Sequence, residues 1–222
     1  MVFLYLIIIF LVIIVIFKIT KVRPKRRRRH LRRYISEEEK GENGENLVKF
    51  ILKYYGSKDV AHREINNLII KDEEGNTHQI DHIEIRENGI FCIETKNYSG
   101  LIFGRPNQRY WTQCLNKYKY KIINPLNQNC GHIKVLNKIL NYKYKINSLV
   151  VMVKNNADKI SVSNVINVKD LRYYLRDYDD GKTSLNKKEI EYIYKILINA
   201  DAGISNKEHI KNLRNRGINS DN

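Results

Sequence analysis

Two runs rich in isoleucine, separated by a short turn signal, constrain the fold of this chain more than any other feature. The first run is Ile80–Ile85, the second is Ile90–Lys96, and Glu87-Asn88-Gly89 stands between them. An apolar run that is interrupted by Asn-Gly and then resumed is typical of a β-hairpin. The sequence therefore predicts two antiparallel strands joined by a tight turn.

The open end of this hairpin carries two carboxylates and a lysine. Counted back from the turn, Asp81 lies opposite Thr95 or within one residue of it, so Asp81 and Glu94 can converge on one ion. Lys96 follows on the same face of its strand. Two carboxylates that share a hard divalent cation, with a lysine beside them, suit the cleavage of phosphodiesters. The alternatives are a solvated aspartate near the turn and a simple ion pair between Glu94 and Lys96.

The first nineteen residues have the character of a membrane span. Val2–Phe17 is uninterruptedly apolar, and with Ile19 the run covers about 25 Å at 1.5 Å per residue. No Lys or Arg precedes it and ten lie between Lys18 and Arg33, the reverse of a cleavable signal peptide. We predict an uncleaved, single-pass anchor in the cell membrane, with the amino terminus outside and the remaining chain in the cytoplasm.

The formal charge of +16 overstates how basic the folded part is. Ten of the forty basic residues belong to the membrane flank, and the other thirty stand against twenty-four acidic residues, a net charge of +6. The segment Lys25–Arg33 is interpreted as a topology signal that also contacts anionic lipid; a nucleic-acid-binding arm is the alternative. The three cysteines have no CxxC spacing, which favours reduced thiols over a zinc site or a disulfide framework.

The rest of the chain has the pattern of one α/β domain. Apolar residues recur at helical spacing over Gly44–Tyr55, and Ser148–Lys154 is a continuous apolar run of the kind found in strands covered on both faces. Asp170 is a candidate cap for a helix over 171–178, and Asn186 with Glu189 predicts a capping box. We predict a central mixed β-sheet flanked by helices, preceded by the transmembrane helix. The predicted boundaries are anchor 1–19, basic linker 20–40, domain 41–203, and short helix with polar tail 204–222.

An ordered set of residues over about ninety positions resembles the nuclease-related domain family, NERD. The matching positions are Gly44-Glu45, Gln79–His82, Gly89–Phe91, Ile93–Tyr98 with Gly100, Trp111, Asn124-Pro125 and Gln128. The resemblance runs from about Gly41 to Leu140. It implies the PD-(D/E)xK nuclease-like, restriction-endonuclease-like fold. One departure from that superfamily's pattern is Ile80, which stands where a proline often precedes the aspartate.

The resemblance also implies roles for four residues. Glu45 corresponds to the helix glutamate, Asp81 to the metal-binding aspartate, Glu94 to the second carboxylate and Lys96 to the catalytic lysine. Asp81, Glu94 and Glu45 would hold Mg²⁺, with Mn²⁺ as an alternative, and the expected partner is nucleic acid, with DNA favoured. Two hypotheses follow: a membrane-anchored, Mg²⁺-dependent nuclease in DNA processing, or a tethered binding module that cleaves little or nothing.

Other polar and aromatic candidates have weaker cases. His78 and His82 would be about 13 Å apart on a strand, too far to chelate one metal. His132 is interpreted as a packing or capping group, and Tyr98 and Trp111 as core residues rather than base-stacking platforms. Alternating lysines and tyrosines over 117–121 fit either a basic face that contacts phosphates or a strand edge blunted by lysines.

Overall fold

The computed structural model of the protein describes residues 37–55, 61–154, 156–160, 162–205, 208–209 and 211–212. The predicted anchor at 1–19 lies outside these residues, as do most of the predicted linker and of the predicted tail. Of the helices that are described, none combines the length and the apolar character needed to cross a membrane. The anchor and the domain boundaries therefore stay predictions.

The described part of the chain contains both helices and strands, in mixed order. They are α1 (Glu37–Tyr55), β1 (His62–Lys71), β2 (Thr77–Arg86), β3 (Gly89–Lys96), β4 (Leu101–Phe103), β5 (Tyr110–Leu115), β6 (Tyr118–Ile123), α2 (Pro125–Ile139), β7 (Ile146–Met152), β8 (Val165–Asn167), α3 (Leu171–Asp177) and α4 (Lys187–Asn199). The central sheet has the strand order β1-β2-β3-β7-β8. Its first three strands are antiparallel, whereas β7 pairs with β3, and β8 with β7, in parallel. The predicted central mixed sheet is confirmed.

Helices cover both faces of the central sheet. Along β3, Ile90 and Cys92 join a core cluster with residues of α2 and α4, while Phe91 and Ile93 join a second cluster with α1 and α3. The alternation of side chains along a strand sends neighbours to opposite faces, so a strand buried on both faces must be apolar throughout. This arrangement explains the continuous apolar runs of β3 and β7.

A second sheet, with the order β4-β5-β6, lies in the crossover between β3 and β7. Its inner face packs Ile102 and Trp111 against Val150 and Met152 of β7. The Trp111 indole is buried, and its Nε1 donates to the Arg105 carbonyl oxygen at 3.0 Å. Trp111 is therefore a core residue, as favoured from sequence, and not a base-stacking platform.

Three local features differ from the sequence predictions or refine them. Helix α1 begins at Glu37, so the last residues of the predicted linker are helical. Asp170 makes no capping hydrogen bond, because it ends a 3-10 turn, Val168–Asp170, that leads directly into α3. Residues 118–123 form the edge strand β6, where the sequence had left a basic face and a strand edge open for 117–121. By contrast, the capping box of Asn186 and Glu189 is confirmed, with both reciprocal hydrogen bonds present.

Candidate active site

The β2–β3 hairpin brings Asp81 and Glu94 to the same end of the sheet. Pairing runs from Arg86 opposite Gly89 to His82 opposite Ile93, so one further step places Asp81 opposite Glu94. The Thr95 amide donates a hydrogen bond to Asp81 Oδ2 at 2.8 Å. Both carboxylates are buried. The register that the turn imposes on the hairpin is thus what makes the two acids neighbours.

Helix α1 adds Glu45 to these two acids. Gly44 is buried, and a Cβ atom on it would lie 3.1 Å from Asn97 Cβ, directly after the end of β3. The lack of a side chain at this position lets the helix approach the strand end closely. Glu45 is partly buried; burial raises its pKa, and the charge of Glu94 raises it further. The helix glutamate expected from the sequence therefore shares an electrostatic environment with the hairpin acids.

Lys96 is held between two acceptors. Its Nζ lies 2.5 Å from Glu94 Oε1 and donates to Gln128 Oε1 at 3.0 Å. Gln128 belongs to α2, which also carries His132, whose Nε2 lies 3.5 Å from Glu94 Oε2. At that distance the imidazole makes an electrostatic contact and not a well-formed hydrogen bond. Helix α2 thus supplies two polar side chains to the site.

The pKa values show how tightly the acids interact. Burial raises the pKa of Asp81 well above its ordinary value, and the charges of Glu94 and Glu45 raise it further. Burial also raises the pKa of Glu94, but Lys96 and His132 together outweigh this effect and hold that pKa below its usual value. For Lys96, burial lowers the pKa, and Glu94, Tyr98 and Asp81 raise it by more. Glu94 and Lys96 therefore form a charged pair. The neighbouring Asp81 carboxyl is harder to ionise, because burial and the charges of Glu94 and Glu45 disfavour its charged form.

The donor set suits a hard divalent cation that keeps part of its water shell. Glu94 Oε2 is buried and has no hydrogen-bond partner among the described residues, so this carboxylate oxygen is available to bind a metal ion. Within the same residues, no three His, Cys, Asp or Glu side chains converge closely enough to hold a metal by themselves. Mg²⁺ needs only one or two protein carboxylates, with waters and substrate oxygens completing its octahedron. Asp81 and Glu94, with Glu45 nearby, meet that requirement.

Sequence reasoning missed the parts of the site that come from α2. His132 was interpreted as a packing or capping residue, but it lies beside Glu94, and Gln128 had no role beyond the resemblance. The four-residue spacing of Gln128 and His132 places both on one helix face, which is the signal that could have found them. The sequence alone does not show that this helix face meets the end of β3.

His78 and His82 have hydrogen-bond partners other than Glu45, Asp81 and Glu94. His78 Nε2 pairs with Asp72 Oδ2 at 3.0 Å, and His82 Nδ1 lies 2.6 Å from Asn66 Oδ1. The two histidines thus have separate partners, and the expectation that they do not bind one metal stays a prediction. Cys92, Cys114 and Cys130 are free thiols, and the buried Cys92 donates to Asn129 Oδ1 at 2.9 Å.

Comparison with known proteins places this arrangement in a family. Residues 40–153, which contain Glu45, Asp81, Glu94 and Lys96, match the family model of the nuclease-related domain. An uncharacterized protein of Bacillus anthracis is 33% identical over 185 residues, which cover 80% of this chain and 85% of that relative. No solved structure matches the chain.

Proposed function

Because the chain belongs to the nuclease-related domain family, which is part of the PD-(D/E)xK nuclease-like superfamily, we propose that it hydrolyses phosphodiester bonds of nucleic acid with a divalent metal ion. The observation that carries this proposal is the pairing of the buried Asp81 and Glu94 beside a charged lysine, with Glu45 close enough to raise the pKa of Asp81. DNA is the proposed substrate, and Mg²⁺ is the proposed metal because its ligands are oxygen atoms.

The site residues have two proposed roles: the carboxylates bind the metal ion, and the lysine stabilises negative charge on the phosphate. Asp81 and Glu94 would hold the metal, and Glu45 would contribute directly or through a water. When bound, the metal polarises a phosphoryl oxygen and lowers the pKa of a water. Lys96 is kept protonated by Glu94 and is aimed by Gln128. Its ammonium is therefore suited to stabilise negative charge on the phosphorus oxygens and not to abstract a proton.

The cell membrane is the proposed location of this activity. The apolar residues 2–17 and the basic residues that follow them support a single-pass anchor with the nuclease-like domain in the cytoplasm. Contact of Lys25–Arg33 with anionic lipid belongs to the same proposal. Fractionation of cells that express the full chain, followed by protease protection, would test it: a domain degraded from the outer side of intact cells contradicts this topology.

Cleavage assays with the full chain in mild detergent test the catalytic proposal. Plasmid, single-stranded DNA and RNA are incubated with Mg²⁺, Mn²⁺ or EDTA. We expect metal-dependent cleavage that Asp81→Asn and Lys96→Met each reduce by about 100-fold or more. Glu87→Gln is the matched control, because Glu87 is exposed at the turn end of the same hairpin.

Two results would contradict parts of this proposal. Undiminished cleavage by Asp81→Asn or Lys96→Met would remove those residues from the site. Absence of metal-dependent cleavage by the wild-type chain, with nucleic acid still bound, would favour the alternative of a tethered binding module that does not cleave.

A further inference from the structure

One face of the second sheet is exposed although it carries several large apolar side chains. Cross-strand pairing and alternation put Leu101, Phe103, Tyr110, Thr112, Cys114, Lys119, Lys121 and Ile123 on one side, opposite the buried Ile102 and Trp111. We call these eight residues the outer face. Its large apolar members are between 41% and 62% exposed, an unusual fraction for four neighbours on a small sheet.

The outer face is organised as two tracks. Phe103 lies opposite Thr112, two positions from Tyr110 on β5, so the two aromatic rings are diagonal neighbours. Lys121 lies opposite Thr112 and Lys119 opposite Cys114, so the lysines line the adjacent strand β6. A row of aromatic rings therefore runs beside a row of ammonium groups, roughly 5–10 Å away at the spacing of β-strands.

The stretch of sequence that contains the outer face carries charge of one sign. No Asp or Glu occurs from residue 95 to residue 157, a stretch that contains eleven Lys and Arg residues. Five of them, Arg105, Arg109, Lys117, Lys119 and Lys121, lie between the start of β4 and the end of β6. The Arg109 guanidinium also lies over the Tyr110 ring, 5.3 Å from its centroid. The net charge of the whole domain conceals this local excess, which complements a polyanion.

The outer face is covalently tied to the candidate active site at both ends of its sheet. Strand β4 begins five residues after Lys96, and β6 ends at Ile123, directly before Asn124, the N-cap of the helix that carries Gln128. Asn124 Nδ2 also donates to the carbonyl oxygens of Pro106 and Gln108, at 3.0 and 2.7 Å, which fixes the β4–β5 loop to the start of α2. A nucleic-acid strand bound on this sheet would therefore lie on an element that is connected directly to β3, which carries Lys96, and to α2, which carries Gln128.

We propose that the outer face binds single-stranded nucleic acid, with bases stacked on Phe103 and Tyr110 and phosphates beside Lys119 and Lys121. Exposed aromatics on a sheet stack unpaired bases, whereas duplex bases are already stacked on one another. The proposal deepens the proposed nuclease function, on which it rests, by assigning unpaired strands as the substrate class.

Binding is measured by fluorescence anisotropy with the full chain in mild detergent and EDTA, so that cleavage does not interfere. The probes are labelled oligo(dT) and oligo(U) of twelve nucleotides and a duplex of the same length. We expect both single strands to bind more tightly than the duplex, and Phe103→Ala and Tyr110→Ala each to weaken single-strand binding by about fivefold or more. Tyr142→Ala is the matched control, since Tyr142 is 70% exposed outside the second sheet.

The row of lysines on the outer face is tested separately, through the salt dependence of binding. Replacing Lys119 and Lys121 together by Gln should weaken single-strand binding and reduce the log–log salt slope by about 1.4, because each phosphate contact contributes about 0.7. The matched control is the exposed pair Lys187 and Lys188, replaced in the same way. Urea unfolding followed by Trp111 fluorescence verifies that each variant is folded.

The outcomes separate this inference from the proposed function. Single-strand affinity unchanged in Phe103→Ala and Tyr110→Ala, or a duplex bound as tightly as the single strands, overturns the inference even if metal-dependent cleavage is found. Loss of affinity in these variants, in a chain that never cleaves, supports the outer face and overturns the hydrolytic function. Equal binding of oligo(dT) and oligo(U) would show that the face does not select the sugar.

Discussion

Lowering the pH should destabilise this fold through His82. The imidazole is 1% exposed, and its Nδ1 lies 2.6 Å from Asn66 Oδ1, while Nε2 has no hydrogen-bond partner among the described residues. Burial and the nearby charge of Lys49 lower the pKa of His82 from 6.5 to about 3. Protonation in the folded state would bury an unpaired cation.

The sign and size follow from proton linkage. Below pH 6.5 the unfolded chain binds a proton at His82 that the folded chain does not, so stability is present above 6.5 and is lost as the pH falls toward 3. Between pH 7.5 and pH 5 the loss is about 2 kcal/mol. Asp81 and Glu84 have raised pKa values and act in the opposite direction, so the wild-type curve alone does not isolate His82.

The assay is urea unfolding of the full chain in mild detergent, followed by the fluorescence of the single, buried tryptophan. The stability difference between wild type and His82→Gln should shift by about 2 kcal/mol between the two pH values. His62→Gln is the control of opposite sign, because a hydrogen bond to Glu84 raises the pKa of His62 despite its partial burial. A His82→Gln difference that does not change with pH, or a His82 proton signal that titrates near pH 6.5 in the folded chain, would refute the reasoning.

Three further substitutions test the packing that positions the site, each by urea unfolding. Asn129→Leu should lower the free energy of unfolding by about 2–4 kcal/mol, because this buried amide bonds to β3 and β7 backbone carbonyl groups, whereas the same change at the exposed Asn127 should cost under about 1 kcal/mol. Gly104→Ala should cost about 2–3 kcal/mol, since its Cβ would lie 2.2 Å from the indole ring of the single tryptophan; a loss below about 0.5 kcal/mol would show that the loop yields freely. Asn186→Ala should remove the hydrogen bonds that the Asn186 side chain accepts from the Lys188 and Glu189 amides at the start of α4 and cost about 1 kcal/mol, and an unchanged midpoint would mean that this side-chain cap contributes nothing.

The strongest local patterns predicted the elements that carry the site. The turn signal at Asn88 and the flanking apolar runs predicted the hairpin, and the observed register puts Asp81 within one residue of the expected partner. The apolar run at 148–154 predicted a strand covered on both faces, which is β7. These patterns succeed because the backbone and the near neighbours of each residue are enough to define them.

The second sheet was not predictable in the same way. Its strands are short, and β6 is exposed along almost its whole length, so its alternating lysines and tyrosines do not carry the apolar–polar alternation of a strand with one buried face. Only the pairing with β5 makes it a strand. The sequence left the lysines and tyrosines of 117–121 open between a basic face and a strand edge. In the structure Lys117 lies in the turn before β6, residues 118–121 lie on this edge strand, and Lys119 and Lys121 also join the outer face.

By itself, the sequence determined which residues form the hairpin, which strands are buried on both faces, and that two acids and a lysine lie at the open end of the hairpin. Each of these facts depends on the period of side chains along a strand or helix, which is a local property. Only the tertiary structure decided that α1 brings Glu45 to that end, that Gln128 and His132 of α2 flank Glu94 and Lys96, and that one face of the second sheet stays open. Those contacts join residues far apart in the chain, and they exist only because the core clusters on the two faces of the sheet fix where each helix packs.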